Sequence, residues 1–129
     1  MRRDLLLLLA TVLFGFTACE RYDNWAVYQN VSGVTNGGDP IKGREVMRYY
    51  GCNTCHTIPG IRDANAVVGP PLEHMANRNV IAGHLPNTPE NLEHWIRHPH
   101  EIQPHTAMPE MNVSEEDARD IAAYLYTLK

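Results

Sequence analysis

The chain has 129 residues, 43% of them hydrophobic, and a formal net charge of −4. That length allows one modest domain, and no low-complexity tract is long enough to make the whole chain disordered. The acidic balance does not suggest a nucleic-acid binder, which normally needs a basic footprint to meet phosphate.

The amino terminus runs Met1-Arg2-Arg3-Asp4 and is then mostly apolar from Leu5 to Ala18. A basic start and a short apolar run predict a secretory signal peptide over residues 1–18, although Asp4 weakens the charged region. At about fourteen residues the run is short for ~30 Å of hydrocarbon, so an uncleaved transmembrane anchor is the alternative. Loss of residues 1–18 removes two arginines and one aspartate, leaving a charge of −5. The ending Phe16-Thr17-Ala18-Cys19 resembles a bacterial lipoprotein box, with Phe16 in place of the usual leucine. It predicts lipid attachment at Cys19 and a lipid-anchored linker over 19–39; an incidental cysteine beside a simple cleavage site is the plainer reading. Residues 20–39 show little periodicity and contain Ser32-Gly33 and Asn36-Gly37-Gly38-Asp39. They are expected to be irregular, reaching roughly 70 Å if fully extended. The folded domain is expected over 40–129.

Asp39 as a cap and Pro40 as an early helical residue predict a helix over 41–50. Cys52-Asn53-Thr54-Cys55-His56 follows. Two cysteines three positions apart suit thioether bonds to the two vinyl groups of a haem, and the adjacent histidine can then reach the iron from the same side. A thiol-redox pair does not require His56 and belongs beside a βαβ pattern that this chain lacks. A zinc site needs a further ligand pair, for which His74 and His84 are the candidates. Gly69-Pro70-Pro71-Leu72 marks a turn. Thr88 and Pro89 open a helix over 89–97 with Leu92, Trp95 and Ile96 on its apolar side, and Pro99 closes it. A loop from His100 to Asn112 comes next. Ser114 then caps a helix over 114–127 with an acidic first turn, in which Asp117 stands as the last member of a capping box. Ala118, Ile121, Ala122, Leu125 and Leu128 recur on one side of it. His94 and His98 share a helical face at i,i+4.

The order of these features over residues 40–128 resembles the class I cytochrome c family, and more narrowly the small cytochrome c domains associated with bacterial respiratory oxidases. Residues 1–39 fall outside the resemblance. It implies an all-α fold, with short helices near 41–50, 71–78, 89–97 and 114–127 packed around one covalently attached haem c. It implies that the first and last helices cross, with Gly43 permitting close approach beside Met47 and Tyr124. It implies that the Pro70 carbonyl accepts a hydrogen bond from the second nitrogen of His56. Trp95 is expected beside the distal haem face, and Met108, within Pro104-His105-Thr106-Ala107-Met108-Pro109, as the sixth iron ligand. The family commonly has glycine directly after the loop proline. Here His105 stands there, a rival ligand if Met108 is lost; Met111 and Met75 are weaker rivals.

With His56 and Met108 on both sides of the iron, no coordination position is open to a substrate. The resemblance therefore implies a one-electron carrier and no enzyme. Its expected setting is the extracytoplasmic, periplasmic side of a bacterial membrane, with a redox protein as donor and another as acceptor. The alternatives are a haem subunit fixed within a larger respiratory oxidase or dehydrogenase complex, a small peroxidase-like haem enzyme, and a gas sensor. The last two require that Met108 be displaced.

Overall fold

The computed structural model describes residues 26–129, and the helices at the two ends of the expected domain form its frame. Asp39 caps helix α2, Pro40–Tyr49, accepting hydrogen bonds from the Ile41 and Lys42 amides at 2.8 and 3.3 Å. Ser114 caps helix α5, Glu115–Tyr126, accepting from the Asp117 amide at 3.0 Å. The two helices cross at Gly43, where a Cβ would collide with the Asp120 carbonyl. Met47, Ala118, Ile121, Ala122 and Leu125 are buried in the shared core. Ala in place of Gly43 must push two backbones apart, so Gly43→Ala should lower stability by at least ~2 kcal/mol. Denaturant titration checks this; a loss under ~0.5 kcal/mol would mean that the contact yields freely.

Polar groups tie the same crossing. Asp120, only 5% exposed, accepts the Asp39 amide at 2.8 Å, and its other oxygen lies 3.0 Å from Lys42 Nζ. Lys42 also reaches Glu116 at 2.6 Å. Asp117 does not close a capping box. Its carboxylate instead accepts from the Tyr50 hydroxyl at 2.8 Å, which is too distant a partner for a local motif to announce. That hydrogen bond, with help from Ser114 and Lys42, holds the Asp117 carboxyl below its ordinary value against the opposing effect of burial. A carboxyl lowered in the folded state contributes stability above its unfolded pKa of about 3.9 and loses it as pH falls through the folded value. Asp117→Asn should therefore be less stable than wild type at pH 7, the two melting curves converging in strong acid.

Helix α3, Pro89–Arg97, has Thr88 as its cap and buries Leu92 and Ile96. It packs on α5. Three sequence expectations need correction. Residues 26–34 are helical (α1), within the stretch expected to be irregular. Val31 and Thr35 are buried there, one turn apart, and the Thr35 hydroxyl donates to the Val31 carbonyl at 2.8 Å. Asn36 and Gly37 turn left-handed, and Gly38 then sits close against α5, a Cβ there coming 2.9 Å from that of Ala123. The helix expected over 71–78 is reduced to a single 3-10 turn, Met75–Asn77. His74 is left-handed at φ 56°, and the Arg78 guanidinium takes the Pro71 and Glu73 carbonyls at 2.5 and 2.9 Å. Finally, the loop after α3 begins with one more helical turn, α4, Pro99–Ile102. A two-residue antiparallel pair, Val80–Ile81 with Leu85–Pro86, is the single sheet among the described residues and leaves the domain all-α in class. No helix among the described residues is long and apolar enough to cross a membrane. Cys19 and the expected leader lie outside the described residues.

Candidate haem-attachment site

After α2 the chain turns at Gly51, whose φ of 76° is a left-handed conformation that glycine adopts without strain. It then winds into the 3-10 turn Cys52–Thr54. The His56 and Cys55 amides both donate to the Cys52 carbonyl, at 3.0 and 3.3 Å, and the Thr54 hydroxyl donates to the Gly51 carbonyl at 2.7 Å. This winding puts Cys52, Cys55 and His56 at positions i, i+3 and i+4, neighbours on one face of a turn. Both thiols are free and partly buried. Burial pushes the Cys52 thiol up to about 11. A thiol raised by burial opposes the thiolate chemistry that a thiol-redox pair needs.

Residues 69–72 are drawn onto this turn by two backbone bonds, Gly69 amide to Cys55 carbonyl at 2.7 Å and Leu72 amide to Thr57 carbonyl at 2.9 Å. His56 Nδ1 lies 2.7 Å from the Pro70 carbonyl oxygen. A carbonyl has no proton to give, so Nδ1 carries the hydrogen and donates it, and Nε2 keeps its lone pair. Gly69 packs directly on the imidazole: a Cβ there would come 2.7 Å from Nδ1 and 2.9 Å from Nε2. Read as sequence, Gly69 is only part of a turn. Its place immediately before Pro70 is the one signal that the missing side chain makes room for a ring. Arg78 is a second residue that sequence reasoning missed, fastening the segment that follows Pro70.

This donor set fits a covalently held haem. Two unpaired thiols share one turn, and the neighbouring imidazole is fixed in the tautomer that offers Nε2 to a metal. The structure brings Cys52, Cys55, His56 and Pro70 into one connected group. Trp95 and Met108 come from separate elements. Trp95 is partly buried against the core from α3. Met108 is partly buried in the loop after α4, where its amide donates to the Thr106 hydroxyl at 3.2 Å. His105 is exposed. Met47 and Met75 are buried core residues, at 1% and 4% exposure, and Met111 packs against the same core.

An all-α domain whose Cys-x-x-Cys-His turn is braced by a carbonyl on the histidine defines the class of c-type haem proteins. The family profile described as cytochrome c matches residues 41–129, and the chain belongs to the cytochrome c family. The family is that of c-type cytochromes, domains that carry electrons on a haem, and residues 41–129 form such a domain. Subunit 2 of cytochrome c oxidase from Alkalihalophilus pseudofirmus is 40% identical over 89 residues, covering 68% of this chain and 25% of the relative. Subunit 2 of cytochrome c oxidase from Bacillus sp. strain PS3 is 28% identical over 115 residues, covering 85% of this chain and 32% of the relative. The chain thus spans a third or less of these oxidase subunits. Cytochrome c-551 of Ectopseudomonas mendocina is 30% identical over 95 residues, covering 67% of this chain and 98% of the relative. No solved structure gives a significant match.

Proposed function

We propose that the chain carries single electrons on one covalently bound haem c as the haem-bearing part of a membrane respiratory oxidase assembly. The observation that carries the haem reading is the 2.7 Å contact of His56 Nδ1 with the Pro70 carbonyl, beside two free thiols on the same turn. The bound haem supplies an iron that alternates between ferric and ferrous states. Cys52 and Cys55 would hold it by thioethers, His56 Nε2 and Met108 would ligate its iron, and Pro70 would orient His56 and strengthen it as a donor. Trp95, packed against the core from α3, would lie beside the bound group. The oxidase setting is supported by the two subunit 2 relatives, each matched over only part of its length. Val67 and Val68, 88% and 76% exposed and directly before Gly69, offer apolar ground for a redox protein next to the attachment turn. A freely diffusing carrier is the second reading, favoured by the match across 98% of a cytochrome c-551. A pyridine haemochrome spectrum with intact mass tests the haem. Gentle solubilisation of membranes then tests the setting: stoichiometric co-purification with an oxidase supports it, and elution as a lone small protein supports the diffusing carrier.

The proposed location is the extracytoplasmic face of a bacterial membrane, with residues 1–18 removed and Cys19 lipidated. Two or three acyl chains give lasting attachment where a single one binds only marginally. Cys19→Ala should leave the haem spectrum unchanged and move holoprotein from the membrane to the soluble fraction, or block signal processing. Intact mass decides: a chain beginning at Cys19 with added diacylglycerol supports the anchor, whereas an unmodified chain, long or short, removes it.

A further inference from the structure

Helix α3 ends at Arg97, and after His98 the chain begins again at Pro99 as the single turn α4. Glu101 on α4 thereby comes beside His94 on α3 and the cap residue His98. His94 Nε2 lies 3.0 Å from one Glu101 oxygen, and His98 Nδ1 lies 4.0 Å from the other. Glu110, from the loop that follows α4, approaches the same His98 nitrogen at 4.0 Å. The two imidazole rings are 5.6 Å apart between centroids, at 81° to one another. All four side chains are open to water, at 50%, 41%, 64% and 42% exposure for His94, His98, Glu101 and Glu110.

Ion pairing alone explains this cluster poorly. Only one of the three nitrogen–oxygen separations is of hydrogen-bond length, and two carboxylates converge on a single nitrogen that has at most one proton to give. A shared cation fits better. Metal–nitrogen and metal–oxygen bonds of about 2.0–2.2 Å put ligand atoms of one tetrahedral sphere about 3.4 Å apart and two ligated imidazole centroids about 5–5.5 Å apart. The 3.0 Å between His94 Nε2 and one Glu101 oxygen and the 5.6 Å between ring centroids lie close to that arrangement, and His98 Nδ1 stands 4.0 Å from the second Glu101 oxygen. Among the described residues no three donors yet converge on one metal position. Closure requires Glu101, an exposed glutamate on a one-turn helix, to turn one oxygen toward both rings.

We propose that His94, His98 and Glu101, with Glu110 at the rim, bind one divalent first-row transition ion. Two imidazoles with one carboxylate select zinc or copper over magnesium or calcium, which take oxygen donors. None of the four residues belongs to the proposed haem site. Glu110 stands two positions after Met108, so an ion held here would brace the methionine loop against α3.

The test uses tag-free, oxidised holoprotein. Calorimetric titration with zinc should show one saturable site, weakened at least tenfold in His94→Ala and in His98→Ala, weakened in Glu101→Gln, and unchanged in His84→Ala. Copper(II) bound at the site should show hyperfine coupling to two nitrogens in its paramagnetic resonance spectrum, falling to one in either histidine variant. The haem spectrum of each variant reports that the fold is intact. Absence of saturable binding up to ~1 mM metal, or a titration unaltered in both histidine variants, would overturn the proposal.

Discussion

Exported from a cytochrome-maturing cell, the Cys52→Ala, Cys55→Ala double variant should contain no haem that survives acid extraction, whereas the wild type keeps one per chain. The expectation follows from two thiols at i and i+3 on a single turn beside an imidazole already oriented for a metal. The effect should reach the fold as well. Below about 100 residues a protein-only core is marginal, and a covalently held macrocycle is a large apolar centre for short helices to pack around. The double variant should therefore melt far below the holoprotein, or fail to accumulate. Each single variant keeps one thioether and should retain haem covalently at reduced yield. A wild-type chain free of covalent haem after export and maturation would sink the central reading.

The parts of this structure that were legible in the sequence are those specified by neighbours in the chain. Caps at Asp39, Thr88 and Ser114 act over two or three residues, so the starts of α2, α3 and α5 could be read from local pattern. The turn from Cys52 to His56 is equally local, because the spacing of Cys52, Cys55 and His56 is set within five residues. What escaped depends on partners distant in the chain or on residues with two meanings. In the sequence Pro99 marks the end of one helix, yet proline at the first helical position also begins the next, and α4 is the result. Residues 26–34 offer only Val31 and Thr35 as clearly buried anchors, and the close approach of Gly38 to α5 crosses more than 80 positions of sequence. The helix expected over 71–78 lost to Arg78, whose guanidinium takes carbonyls that helical amides would have used. Asp120, an acidic residue near the apolar stripe of α5, announced nothing by itself. Only the fold brings Asp39 and Lys42 to it.

The largest spectroscopic effect should come from Met108→Ala. Met108 sits partly buried in a loop shaped by the Thr106 hydroxyl, while Met47, Met75 and Met111 all pack with the hydrophobic core. Oxidised wild-type protein should show a weak charge-transfer band at ~695 nm, the signature expected of histidine–methionine ligation in this family. Met108→Ala should abolish it, and Met111→Ala should leave it. A thioether is a soft, neutral donor that favours ferrous iron, so its loss should lower the reduction potential by more than ~59 mV, a tenfold change in the ferrous-to-ferric ratio for one electron. His105 decides what replaces it. Exposed and three positions before Met108, it is the nearest imidazole in the same loop. If it fills the vacated position, Met108→Ala should be low-spin near neutral pH, and the further change His105→Ala should convert it to a high-spin form that binds carbon monoxide readily when reduced. If Met108→Ala keeps the 695-nm band, Met108 is not the ligand and the loop serves another purpose.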